Sequence, residues 1–286
     1  MSLLAPIPNQ FNGRITNMTG QPLTTQGTTI TPGNNTYPAY TEILANTAYD
    51  TFYIQISVHA VGSAAKSTSI IVKIGIDHSG ATTYTDVEIT HLLATMAGLR
   101  GQGGIYYRFP LYIPANSALA ASASINNATV GTAEIGVTLF GKPSKPELVR
   151  AGAYIDTFGA VTASSKGTDI TPGTASESAW LALGTNITRN YWWWQGGCGI
   201  TNTVATNIPY TLDVGVGTST TIVDPCFQEQ LWGPYNTSEQ ACNRLRPDVE
   251  YVHEAPGDGA YDVYARMQAG ATPETTMSCI AYGLGG

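Results

Sequence analysis

Charge is scarce in this chain. Of its 286 residues only 12% are Asp, Glu, Lys or Arg, about half the usual share. The 13 Lys and Arg stand against 20 Asp and Glu, a formal net charge of −7. Nucleic acid is therefore excluded as an expected partner, because phosphate binding needs clustered basic residues. No apolar run is long enough to cross a bilayer as a helix, so no membrane partner is expected. The opening MSLLAPIPNQF has no basic residue ahead of its apolar stretch and is broken by two prolines. It does not read as a secretory signal, and the chain is expected to act where it is made or to be released by lysis. Sequences of the forms GxSxG, HExxH and GxxxxGK[ST] are missing. His59, His78, His91 and His253 show no metal-like spacing. The four cysteines, Cys198, Cys226, Cys242 and Cys279, form no CxxC and no zinc spacing. Buried thiols and two disulfides both remain open for them. No catalytic residue, cofactor or metal is expected. The carboxylate pairs Asp77/Asp86 and Asp258/Asp262 leave glycoside hydrolysis as a third reading.

Hydrophobic residues reach 43%, enough to place the chain among globular proteins rather than disordered ones. Its length suggests about two domains. Reading the chain against itself supports that division. GTTITPG at 27–33 returns as GTDITPG at 167–173, an offset of 140 (167 less 27). The same offset lays Phe52-Tyr53-Ile54 on Trp192-Trp193-Trp194 and Ile74-Gly75-Ile76 on Val214-Gly215-Val216. Near the ends, Phe140-Gly141 matches Tyr282-Gly283 at an offset of 142. The sequence thus predicts an extended arm at 1–12, a first domain at 13–141, a linker at 142–150 and a second domain at 151–286. The linker, KPSKPELVR, is held out of regular structure by its prolines and carries the basic cluster Lys142, Lys145 and Arg150.

Short β-rich segments bounded by Gly, Pro, Asn and Ser dominate both copies. In the first they are 52–61, 67–77, 104–113, 117–125 and 132–141. In the second they are 191–197, 209–217, 249–255, 260–269 and 275–284. The fold class is all-β, as two tandem diverged β-sandwich domains of jelly-roll or immunoglobulin type. About one short helix is expected in each. Asp86 is placed to cap one in which Ile89, Leu92, Leu93, Met96 and Leu99 share a face, with Gly101 past its end. Ser238 is placed to cap a second that Pro247 ends.

All five tryptophans lie in the second copy. Along a strand Trp192 and Trp194 share one face and Trp193 takes the other. If one face is core, the other presents an aromatic outward. Tyr191, Trp193, Trp194, Trp180 and Trp232 are accordingly the candidate contacts to another protein or a glycan. An entirely buried cluster is the competing reading. Leu3, Leu4, Ile7 and Phe11 of the apolar arm are the candidate anchors to a neighbour.

Residues 105–125, IYYRFPLYIPANSALAASASI, set an aromatic strand before FPxxIPA, a small polar turn and an alternating strand. VEYVHEAPGDGAYDVYARMQA in the second copy keeps a fainter trace, with Ala255-Pro256-Gly257 near Pro114-Ala115-Asn116. This pattern resembles bacteriophage virion proteins built from jelly-roll or related sandwich domains. The resemblance implies a non-enzymatic part of a virus particle, put together in the host cytoplasm. Capsid decoration comes first, and a tail, baseplate or fibre part with host-glycan binding second. Its expected partners are other virion proteins and further copies of itself.

Overall fold

Ala133, Ile135, Val137 and Leu139 alternate with Glu134, Gly136 and Thr138, and the chain there is a strand with the first set buried and the second half-exposed. That period of two is the local rule wherever one face of a strand is left half-exposed. The computed structural model describes residues 15–17, 27–62, 69–95, 105–125, 131–141, 150–159, 162–165, 167–200, 208–232, 242–243, 251–271 and 276–286. Two compact units divide the chain, residues 1–156 with Gly286 and residues 157–285.

The first unit holds β1 (Ile15–Asn17), β2 (Thr28–Ile30), β3 (Gly33–Asn34), β4 (Thr41–Leu44) and β5 (Tyr53–Gly62). It continues with β6 (Ser69–Asp77), β7 (Val87–Thr95), β8 (Ile105–Phe109), β9 (Ala118–Ile125) and β10 (Gly131–Phe140). One sheet runs β1-β10-β5-β8, with β2 also on β10; the other runs β3-β9-β6-β7, with β4 also on β9. Take β2 and β4–β10 as eight strands in chain order. They then lie first-eighth-third-sixth in one sheet and second-seventh-fourth-fifth in the other, the pairing of a jelly-roll sandwich. Ile54, Ile56 and Val58 of β5, Ile135 and Val137 of β10, Val72, Ile74 and Ile76 of β6 and Leu119 of β9 are buried at alternate positions. Each such side chain contributes about 2 kcal/mol by leaving water.

β11 (Tyr154–Phe158) runs across the boundary between the units, and the second unit continues with β12 (Thr168–Ile170), β13 (Leu181–Gly184), β14 (Tyr191–Ile200) and β15 (Tyr210–Ser219). β16 (Ile222–Trp232), β17 (Cys242–Asn243), β18 (Tyr251–Ala255), β19 (Asp262–Ala269) and β20 (Met277–Gly285) complete it. Its sheets run β11-β20-β14, with β12 on β20 and β17 and β18 on β14, and β13-β19-β15-β16. Apart from β3 in the first unit and β17 in the second, which have no counterpart strand, this is the order of the first unit. Two local details recur with it. Gly27 and Gly167 have φ of +129° and +133°, and each lies against the backbone of the last strand, at Ile135 and Cys279. A bulge interrupts β6–β7 between Val72 and Ile74, and another interrupts β15–β16 between Leu212 and Val214.

The strands expected from sequence are present, and two expectations are corrected. Among the described residues there is no helix. Residues 87–95 form β7, whose ladder runs Val72 to Leu92 and Ile74 to Ile89, so Lys73 faces the two residues Thr90 and His91. His91 absorbs the extra residue with φ +60°. The bulge moves the buried set by one position. Ile89 and Leu92 are therefore both buried three residues apart, which imitates the spacing of a helical turn. The segment expected as the second helix lies outside the described residues, apart from Cys242–Asn243 in β17. The second correction concerns the repeat offset at the chain's end. Tyr53 pairs with Phe140 and Trp193 pairs with Leu284, so β10 and β20 correspond at an offset of 144 (284 less 140), not 142.

Candidate functional site

In both units the outer face of the second sheet is crossed by the segment that leads into β4 or β13. The first segment carries Tyr37, Pro38 and Tyr40. Ser122 of β9 donates its hydroxyl to the Pro38 carbonyl at 2.8 Å. Lys73 of β6 puts its ammonium 4.5 Å from the Tyr40 ring centre and 5.1 Å from that of Tyr37. The same ammonium lies 3.1 Å from Glu88 Oε1, which also accepts the Tyr40 hydroxyl. Burial, and then the Glu88 carboxylate, hold the Tyr40 hydroxyl far above the ordinary phenol range. Tyr37 is raised by burial as well, against the opposing effect of the His91 backbone. Gly75 makes room for the Tyr40 ring, since a Cβ there would stand 2.7 Å from its Cζ.

The second segment carries Glu177, Ser178 and Trp180. Here the cation is Arg266, on β19. Its guanidinium stacks 4.4 Å from the Trp180 ring centre and reaches Glu177 at 2.7 Å and Asp213 at 2.8 Å. Asp213 is buried, so this pair is a desolvated one. Met267 binds the segment on both sides: its carbonyl accepts the Ser178 N–H at 2.8 Å and its N–H donates to the Ser178 hydroxyl at 3.1 Å.

The tryptophan run is interior. Tyr191, Trp192, Trp193 and Trp194 are all buried, Trp194 completely. Phe158, Tyr191 and Trp194 pack as three rings with centres 5.3–5.9 Å apart. Gly283 floors the group, since a Cβ there would meet Tyr191 at 2.8 Å and Trp194 at 3.0 Å. Trp193 pairs with Leu284 on the face that carries Gln195, Ile280 and Tyr282, and that face is buried too. The expectation of an outward ring fails because both faces of β14 and β20 are covered, so alternation no longer separates core from surface. Trp180 is half-buried beneath Arg266. The side chain of Trp232 and the residues Leu3, Leu4, Ile7 and Phe11 lie outside the described residues, as do 142–149 of the basic linker.

The candidate carboxylates serve turns. Asp77 is buried and accepts the hydroxyl and N–H of Ser79 and the hydroxyl and N–H of Thr83, at 2.7–3.2 Å. These donors, the Ser79 hydroxyl foremost, hold its carboxyl far below the usual range. Asp86 accepts the His78 N–H, Asp258 accepts the Ala260 N–H, and Asp262 accepts the Asn186 N–H and the Tyr264 hydroxyl. Among the described residues no three His, Cys, Asp or Glu gather to hold a metal. Lys73, Arg266, Tyr40 and Glu177 were not singled out from sequence. The repeat held the signal: an offset of 140 lays Tyr40 on Trp180, Tyr37 on Glu177 and Lys73 on Asp213.

No protein family and no curated protein matches the chain. Among solved structures it is similar to a chain of Sulfolobus Turreted Icosahedral Virus, with TM-score 0.36, 10% identity, and 95% of this chain and 90% of that chain covered. A chain of naturally occurring empty particles of Cowpea mosaic virus matches with TM-score 0.32 and 7% identity over 92% and 93%. A peptide-N(4)-(N-acetyl-beta-D-glucosaminyl) asparagine amidase matches equally, with TM-score 0.32 and 9% identity over 90% and 96%. Likenesses this distant join viruses and an enzyme alike, and the strand order is what describes the architecture.

Proposed function

We propose that this chain is a non-enzymatic structural protein of a virus particle, built from two jelly rolls that arose by duplication. The observation that carries the reading is the recurrence of one jelly-roll strand order in both units, an architecture that serves viral capsid and lectin domains. This is a fold-level argument. It is supported where the virion-like pattern of 105–125 falls. That segment is β8, a turn and β9, the corner where the chain leaves one sheet for the other. Asn116, with φ +69°, turns the corner, and Gly259, with φ +79°, turns its counterpart before β19. A surface poor in charge repels copies of itself weakly and suits close packing.

Within that class the reading is a bacteriophage capsid decoration or auxiliary surface protein, with a tail, baseplate or fibre part second. The particle surface is its site, the arm at 1–12 its anchor through Leu3, Leu4, Ile7 and Phe11, and self-association part of its mode. A stable contact of this kind buries on the order of 1,200–2,000 Å². Glycan binding through the second unit is narrowed by the burial of Tyr191, Trp193 and Trp194. The test is the mass of the full chain by light scattering across a concentration series, repeated without residues 1–12. A defined oligomer that needs the arm supports the reading. A monomer in both forms, together with specific binding on a glycan panel, overturns it in favour of a lectin.

A further inference from the structure

In the ladder of β14 and β20, Cys198 stands directly opposite Cys279, between the pairs Gly197–Ile280 and Gly199–Ser278. Residues opposed in an antiparallel ladder have Cα atoms about 4.5–5.5 Å apart, and a disulfide spans about 4.4–6.8 Å between Cα atoms. The corresponding pair in the first unit is Val58 opposite Ile135, two fully buried aliphatic residues. The second unit therefore has two thiol-bearing residues where the first has an ordinary core contact. The other cysteines are placed elsewhere. Cys242 pairs with Gly199, one position along, and Cys226 is on β16, in the other sheet; Cys226 and Cys279 are both buried free thiols in this structure.

We propose that Cys198 and Cys279 form an oxidation site, a cross-strand disulfide that staples β14 to β20 when the chain folds in the presence of a small-molecule disulfide. One cysteine thiolate attacks the added disulfide, here oxidised glutathione, and expels one glutathione thiolate. The second cysteine attacks the resulting mixed disulfide and expels the other. The two cysteines lose two protons and two electrons, and one glutathione disulfide becomes two thiols. Burial pushes the Cys279 thiol up to about 12, so its attacking form is scarce in the folded chain at neutral pH. The bond is accordingly set while the strands come together. Once set, its Cys279 sulfur is shielded from reductants.

The full chain is unfolded in guanidinium with reductant, refolded with oxidised and reduced glutathione, unfolded again in guanidinium with the alkylating reagent, and cut with trypsin without reduction. The expected product joins the peptides 190–244 and 267–286, each lighter by one hydrogen. It disappears in Cys198→Val and persists in Cys226→Ser and in Cys242→Ser. The linked chain melts roughly 5–10 °C above the reduced one. Recovery of Cys279 in alkylated form after oxidative refolding overturns the proposal. So does loss of the link in Cys226→Ser or Cys242→Ser, a result that is readable even if Cys198→Val does not refold.

Discussion

Lys73 and Arg266 hold equivalent segments against equivalent sheets, but from different strands. In the first unit the cation is on β6 and its carboxylate, Glu88, is on β7. In the second the cation is on β19, and β15, the counterpart of β6, supplies the buried carboxylate Asp213. The aromatic position beneath the cation is kept, as Tyr40 or Trp180. What the fold specifies here is a cation over a ring on a sheet face, and not the strand that delivers it. The sheets that carry β10 and β20 diverge in another way. β10 alternates buried and half-exposed residues, while β20 is buried along its whole length. The second unit can therefore fill both faces with Trp and Tyr, where the first keeps Gln55, Ser57 and His59 half-exposed on one.

The largest effect expected from breaking this comparison is in the two cores. Trp194→Ala should cost about 4 kcal/mol and Ile54→Ala, at the equivalent position, about 3 kcal/mol, in chemical denaturation of the full chain. The clamps should separate more clearly. Arg266→Met leaves buried Asp213 without its cation and should cost about 3 kcal/mol. Lys73→Met leaves a Glu88 that can turn to water and should cost about 1 kcal/mol. Equal losses in the two variants would show that the buried carboxylate adds nothing. Gly27→Ala and Gly167→Ala should each cost about 2 kcal/mol, because both must hold φ near +130° with a Cβ 2.6–2.7 Å from a carbonyl oxygen. A loss confined to one of them would undo the equivalence of the two units at that corner.

The smallest effect is in acid. Asp77 has its carboxyl lowered by the Ser79 and Thr83 donors, so the stability it supplies is present above its unfolded value and is lost as pH falls below about 4. Asp77→Asn should flatten the acid limb of the unfolding profile. The matching position in the second unit is Gly217, opposite Asp262 where Asp77 is opposite Ala118, and it has no such group. Melting curves from pH 2 to 7 compare the two proteins directly.

The strands that lie in the middle of each sheet were legible in the sequence, because a half-buried strand writes its period into the residues: Ile54, Ile56 and Val58 alternate with Gln55, Ser57 and His59. The recurring glycine turn at Gly27 and Gly167 was legible from GTTITPG and GTDITPG. β7 was not, since its bulge at Thr90 and His91 puts Ile89 and Leu92 at a helical interval. The Trp run misled for the opposite reason. Where both faces are buried, no polar residue marks which side is out. The clamps were hidden because Lys73 answers to Asp213 in sequence and to Arg266 only in space.

A methyl group on Gly75 would stand 2.7 Å from the Tyr40 ring and 2.5 Å from the Tyr84 carbonyl oxygen. The ring is a side chain and can be replaced, whereas the carbonyl belongs to the backbone. In any lineage descended from this chain, position 75 should therefore stay glycine even where position 40 has given up its ring.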